Sequence, residues 1–238
     1  MNALALLQIF GVLPFLALAG LTASLALAPA LYGYHSLVPY LPELGSAWHY
    51  PGRALALVAA YFIYGFSLIL IAPLLNLILG GRLVPYRGRQ VSVTALRWYV
   101  HATLTLLPRL TFLDFICATP YLNYFYSLMG MKLGKNVTIN TTAIADPSLI
   151  EIGDGATLGG SCSVMAHYAQ GGFLVVAPVK IGARATIGLR AIVMGGVTIG
   201  ERAKVLAGSF VTPKTVIPDG ETWGGIPARK VDLEDHND

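Results

Sequence analysis

Two rhythms of apolar residues divide the chain. In the first third they run almost without interruption: no Asp, Glu, Lys or Arg occurs from Met1 to Pro42, and residues 54–79 form a second uncharged run, opened by Arg53. Each run is long enough, as a helix, to cross about 30 Å of hydrocarbon, which predicts membrane spans at residues 3–28 and 54–79. A cleaved signal peptide is the competing reading of the first run, but the run lacks a positive leader and is longer than the apolar core of such peptides. In the second half the rhythm changes to a period of six. Residues 179–220 read VKIGAR ATIGLR AIVMGG VTIGER AKVLAG SFVTPK TVIPDG, and the third place of each six is Ile181, Ile187, Val193, Ile199, Val205, Val211 and Ile217. A small or β-branched residue stands two places earlier. So short a period excludes helical repeats and marks a β-solenoid.

Each six makes one short strand and one corner, and three sixes close a coil of about eighteen residues whose aliphatic positions point inward. The pattern extends back to Met131: Leu133, Ile139 and Ala145 fit a first coil, and after a one-residue slip near Pro147, Ile152, Leu158 and Val164 fit a second. Of these thirteen inward positions only Ala145 is not a branched aliphatic. Gly182, Gly188 and Gly200 follow inward residues, where a corner would use backbone angles closed to residues with a Cβ. The Pro-containing, acidic tail after Pro218 is expected to cap the exposed edge. The division is therefore a two-helix hairpin at 1–80, a basic and aromatic linker at 81–130, and a β-helix with its C-terminal cap at 131–238.

Charge orients this arrangement. The stretch 31–52 carries one acid, Glu43, and no Lys or Arg, whereas Arg82, Arg87, Arg89, Arg97, Arg109, Lys132 and Lys135 follow the second run against the single acid Asp114. By the positive-inside rule the solenoid and both termini face the cytoplasm, making this a multi-pass protein of the cytoplasmic (inner) membrane. Residues 91–129, interrupted by Pro108 and Pro120, read as interfacial helices, with Trp98, Tyr99, Tyr121, Tyr124, Phe125 and Tyr126 half wet at headgroup level; a re-entrant hairpin is the alternative. A mean hydropathy of +0.64 with 12% charged residues excludes an ordinary soluble protein. The net charge of +4 sits beside apolar segments, which points to a membrane surface and not to nucleic acid. Cys117 and Cys162 suggest neither a disulfide framework nor a nucleophile.

The period fails once. Between Val164 and Ile181 the chain inserts MAHYAQGGFLVVAP, which contains His167. A loop ejected from a rigid solenoid is where such architectures carry function, and a neutral imidazole with a pKa near 6.5 suits a general base. Its second nitrogen needs an orienting acceptor. Asp146, Glu151 and Asp154 are near in coil position, and Asp146 is taken for the role, although each also suits a corner turn. Because the loop lies outside the repeat column, removing His167 is expected to leave stability almost unchanged. Asp114, costly to bury without a partner, is a candidate contact for an acceptor substrate, with an ion pair to Arg109 as the other reading. No metal is expected, since zinc needs about three ligands and His167 has only the tail residue His236 for company in this half.

The sixes resemble the left-handed β-helix of hexapeptide-repeat acyltransferases, and the left hand is implied by that resemblance alone. More narrowly, FLDFICATPYLNYFYSLMGMKLG, DPSLIEIGDGATL, the histidine loop and GETWGGIPA resemble the terminal membrane-attached domains of ε-poly-lysine-synthetase-type nonribosomal peptide synthetases. The resemblance implies a homotrimer and His167 as catalytic base. The donor would be acyl-CoA, or a carrier protein bearing a phosphopantetheinyl thioester, its arm lying near Gly188, Ala207, Gly208 and Thr212. It also implies that Lys214 and Arg229, the latter in a closing GIPAR, meet the nucleotide phosphates; plain solvated cations are the other reading. The acceptor would be an amine or hydroxyl on a small molecule, peptide or saccharide. A trimeric membrane scaffold without activity is the non-enzymatic alternative. Where the family often has proline, Gly195 is expected to make only a local difference.

Overall fold

The computed structural model describes residues 3–44, 49–89 and 92–231; the acidic tail with His236 lies outside them. The two apolar runs form helices longer than the expected spans: α1, Ala3–Leu37, and α2, His49–Ile78. A 3-10 segment, Val38–Leu44, follows α1. The two helices pack along each other and leave leucines and aromatics on their outer surface, among them Leu16, Leu55, Leu57 and Leu70 at 55–70% exposure. A helix apolar on all sides belongs either in the core of a larger assembly or in a membrane.

Two further helices join this pair to the solenoid. In α3, Val93–Thr111, the Ser92 hydroxyl caps the start by accepting from Ala95 N–H at 3.0 Å, supplying one of the acceptors a helix start lacks. Pro108 lies inside the last part of α3 and does not end it, and Pro120 opens α4, Pro120–Leu128, at a position where its missing N–H is not needed. The outer faces are apolar and exposed, as at Leu110, Phe115, Tyr121 and Tyr124. Phe125 and Tyr126, expected half wet, are instead fully buried. They close the first coil from below, and the Tyr126 hydroxyl donates to the Thr142 carbonyl at 3.1 Å. One continuous core runs from Leu104, Phe112 and Leu122 through Phe125 and Met131 into the aliphatic column.

That column is a parallel β-helix. Its three faces stack strands 132–133, 150–152, 179–181, 198–199 and 216–217; strands 138–139, 157–158, 186–187, 204–205 and 222–225; and strands 144–145, 163–165, 192–193 and 210–211. Registers such as Ile152↔Ile181↔Ile199↔Ile217 keep the inward residues stacked, and all four are at most 2% exposed. A hairpin of Thr222–Gly225 with Ala228–Lys230 closes the far end.

Two expectations are corrected. The inward residue of the third strand is Ile144, at 1% exposure and paired with Val164, and Ala145 is the outward neighbour. The six before the strand is therefore one residue short, because the prism is filled by the larger aliphatic, and the irregularity near Pro147 is correspondingly larger, with eight residues from Ile144 to Ile152. Nor do Gly182, Gly188 and Gly200 take left-handed angles. Those belong to corner residues such as Arg184, Arg190, Arg202 and Gly208. At the three glycines a Cβ would meet backbone of the next coil at 2.5–2.6 Å, so they are needed for the close approach of successive coils.

Candidate active site

The insertion is an antiparallel hairpin, not an open loop. His167–Gln170 pairs with Phe173–Val176 across a Gly171-Gly172 turn in which both glycines have positive φ, and Tyr86–Arg89, the segment leaving α2, adds a third strand. In register, His167 faces Val176, which faces Tyr86. Leu174 and Val176 pack on Ala95, with Trp98 and Tyr99 beside them. The linker and α3 thus hold the histidine strand from outside, and Gly195 makes room from below: a Cβ there would stand 3.0 Å from His167 N.

At the root of this hairpin stand His167, Asp146 and Trp98. The register Ala145↔Met165 puts Asp146, one residue on, and His167, two residues on, at one edge of the prism. There the His167 Nδ1 and Asp146 Oδ2 atoms are 2.5 Å apart, and the Trp98 indole N–H donates to Asp146 Oδ1 at 2.8 Å. Asp146 is 1% exposed, and its backbone is left-handed, φ 62°, an angle a short polar residue tolerates. Both carboxylate oxygens are therefore partnered, as a buried carboxylate requires. The Trp98 ring meets the imidazole edge to face at 4.9 Å. The His167 side chain keeps 25% exposure toward a cleft of about 350 Å³ bounded by Trp98, Tyr99, Met165, Leu174 and Met194.

Glu151, weighed beside Asp146, pairs with Lys132 on the surface at 3.6 Å, and Asp154 accepts from Lys135 N–H at a corner. Asp114 is exposed and accepts from the Thr142 hydroxyl at 2.5 Å; among the described residues no ion pair joins it to Arg109. Thr142 and Asp146 flank one strand, so Asp114 sits at the other end of the face that carries the histidine. Lys214 donates its backbone N–H to Gly195, and Thr212 bonds Thr215. Both lie on the histidine's edge, two coils or about 10 Å further along. Gly188, Ala207 and Gly208 lie together on another edge, flanked by exposed Leu189 and Leu206. Arg229 is in the closing hairpin, its Nη1 donating to the Ala228 carbonyl at 3.0 Å. Burial pushes the Cys162 thiol up to about 12, which makes it a poor nucleophile. Among the described residues no three His, Cys, Asp or Glu side chains converge as a zinc site needs.

Sequence reasoning took Trp98 for a headgroup anchor and so missed its bond to Asp146. A second buried residue was also missed. His101, one turn further along α3, is fully buried with Nδ1 3.1 Å from Asn76 Oδ1 and Nε2 unpartnered. Burial lowers its pKa to about 4, the Asp146 charge opposing more weakly.

Comparison with known proteins follows the same residues. A family profile described as the hexapeptide repeat of succinyl-transferase matches residues 178–213. The delta-poly-L-ornithine synthetase of Acinetobacter baumannii (strain AB307-0294) is 27% identical over 140 residues, 59% of this chain and 10% of that synthetase. The chain thus spans about a tenth of that relative's length. The crystal structure of a maltose O-acetyltransferase from Clostridium difficile 630 is 20% identical, covers 62% of this chain and 91% of its own, and superposes with a TM-score of 0.46. YvoF, a provisionally assigned acetyltransferase of Bacillus subtilis (strain 168), is 30% identical over 148 residues, 56% of this chain and 81% of YvoF. With that coverage, and with the repeat and its parallel coils already in place, the chain belongs to the hexapeptide-repeat acyltransferases.

Proposed function

We propose that this chain is a membrane-anchored acyltransferase. It moves an acyl or aminoacyl group from a pantetheine thioester, acyl-CoA in the first place, to an amine or hydroxyl, with His167 as general base. The observation that carries the reading is the hydrogen-bonded series Trp98, Asp146, His167 opening on a cleft. Asp146 accepts from Nδ1–H, which fixes the tautomer and leaves the Nε2 lone pair for the acceptor's proton. As Nε2 takes that proton, the nucleophile attacks the thioester carbonyl. The C–S bond then breaks, and the imidazolium returns the proton to the departing thiolate. Asp146, ionised, stabilises the transient imidazolium, and Trp98 holds the carboxylate in plane.

The two apolar helices, α1 and α2, are the anchor. They leave the solenoid on the side of Arg82–Arg97, and thus on the cytoplasmic face. Residues 81–130 brace the solenoid against the headgroups through Leu110, Phe115, Tyr121 and Tyr124. The left-handed coils assemble as a homotrimer: Leu189 and Leu206, 55% and 37% exposed, flank Gly188, Ala207 and Gly208 along one edge. A neighbour's edge there would complete the donor groove with Thr212, Lys214 and Arg229, while Asp114 contacts the acceptor. A carrier-protein thioester is the second reading, favoured by the match to a poly-ornithine synthetase.

The donors are separated by Arg229. With acetyl-CoA as donor, Arg229→Ala should raise KM roughly tenfold, about 1.4 kcal/mol, with kcat nearly unchanged, because a phosphate contact is equal in ground and transition states. Saturable transfer from a carrier thioester, with no binding of acetyl-CoA, would move the assignment to the second reading.

A further inference from the structure

The cleft beside His167 has a membrane side. Four rings run in series from the first apolar helix to the imidazole. Phe15 of α1 lies 5.2 Å from Tyr99, Tyr99 lies 4.9 Å from Trp98, and Trp98 lies 4.9 Å from His167. Tyr99 also lines the cleft, together with Met165, Leu174 and Met194. An acceptor site for a purely aqueous metabolite has no need of such a wall, which offers little to hydrogen-bond and much to an alkyl chain.

Trp98 has a second face. Behind it is a shallow recess of about 10 Å³, room for little more than one water, whose lining joins Arg82 and Arg97 to Leu83, Val84 and Val176. Both arginines are exposed, and among the described residues no carboxylate pairs with either. The sequence around them is free of Asp and Glu from residue 44 to residue 113. Two arginines without a carboxylate partner therefore share a lining with Trp98, which also lines the reaction cleft. Guanidinium forks match phosphate oxygens in pairs. An apolar path from the first apolar helix, a reaction cleft, and two exposed, unpaired arginines beside them describe one kind of molecule.

We propose that the acceptor is a membrane-held amphiphile that carries a phosphate between its apolar tail and its amine or hydroxyl. It enters sideways along Phe15 and Tyr99, with the phosphate on Arg82 and Arg97 and the reactive group at His167. This rests on the acyl-transfer reading above and names its substrate class.

The test reads binding without turnover. In the variant Trp48→Phe/Trp223→Phe, Trp98 is the sole tryptophan, excited selectively over tyrosine, and the protein is reconstituted in bilayers whose phosphatidylglycerol or phosphatidylcholine bears bromine on its tails. Brominated phosphatidylglycerol should quench Trp98 about twofold more than brominated phosphatidylcholine, because the arginines gain charge-assisted contacts that a zwitterion resists. Arg82→Ala/Arg97→Ala should erase the difference, and His167→Ala should leave it. Equal quenching by the two lipids, or none, would overturn the proposal. So would protection of Trp98 by soluble glycerol phosphate in place of lipid, which would assign an aqueous acceptor. If selective quenching persists while no thioester is consumed, the acyl-transfer reading fails alone; if transfer proceeds with no lipid selectivity, the acceptor class fails alone.

Discussion

Asparagine at position 146 separates what the carboxylate does for the tautomer of His167 from what it does as a charge. The carboxylate accepts on both sides, from the Trp98 indole at 2.8 Å and from His167 Nδ1 at 2.5 Å. Asparagine has one oxygen to offer and one NH₂. With Trp98 in place the amide oxygen must face the indole, since the other orientation sets two N–H donors against each other at a site 1% exposed. The NH₂ then faces His167 Nδ1, which has to accept, so the imidazole proton moves to Nε2 and the base is lost. A wrong tautomer of this kind costs about 10⁴ in kcat in a serine-protease triad, and a loss of roughly 10²–10⁴ is expected here. Trp98→Phe alone keeps a ring against His167 but strands Oδ1, a loss of about 1.5–3 kcal/mol for a hydrogen bond to a charged group, felt mainly as stability. The double variant Asp146→Asn/Trp98→Phe frees the amide to turn its oxygen to Nδ1–H and restores the useful tautomer. It should therefore be about tenfold faster than Asp146→Asn, yet slower than the parent protein because no charge faces the imidazolium. The assay is kcat by thiol release at saturating acetyl-CoA, with thermal unfolding as the check on fold. A double variant slower than the parent by the product of the single effects, and so no faster than Asp146→Asn, would refute this reasoning.

Three further outcomes follow from the packing. His167→Ala should cost about 1–3 kcal/mol, a melting shift of a few degrees, because it leaves buried Asp146 with one partner fewer; an unchanged melting temperature would return the histidine to an idle loop. Burial holds His101 near 4, so below the ordinary histidine range of about 6.5 the unfolded chain binds the proton first. Stability is then full above pH 6.5 and falls by up to about 3 kcal/mol on the way to pH 4, and unfolding midpoints across that range should flatten in His101→Gln. Gly188→Ala, whose Cβ would stand 2.5 Å from Ala207 N, should destabilise by about 1–3 kcal/mol through forced separation of coils. Gly208→Ala, with open space around it at φ 69°, should cost only the left-handed backbone term of about 1 kcal/mol, and equal losses in thermal unfolding would count against the distinction.

The solenoid was legible because its period is set by the same geometry that buries Ile and Val in every coil, and the failure of the period marked the segment that carries His167. His167 and Asp146 could be paired by counting, since they are 21 residues apart and so fall on one edge of successive coils. Even counting misled at Ala145, where the chain shortens one six to bring Ile144 inward. The glycines after the inward residues were read as conformational when they are steric, a distinction that depends on the neighbouring coil and not on the local sequence. A hairpin in the insertion was signalled by its Gly-Gly turn between HYAQ and FLVV, but the strand Tyr86–Arg89 that completes the sheet alternates Tyr, Arg, Gly and Arg with nothing to mark it. Trp98 was out of reach for the same reason: its bond to Asp146 closes 48 residues, and an aromatic residue beside apolar helices has the composition of a headgroup anchor.

The central claim is that His167, held by Asp146, makes this chain consume a thioester. It is tested most directly by free thiol released from acetyl-CoA by the full chain reconstituted in bilayers with amine and hydroxyl amphiphiles, in parallel with His167→Ala. Saturable release is expected, falling roughly 10²-fold or more in the variant, the scale of a positioned base, while the variant still melts cooperatively. Release at the parent rate from folded His167→Ala would contradict it.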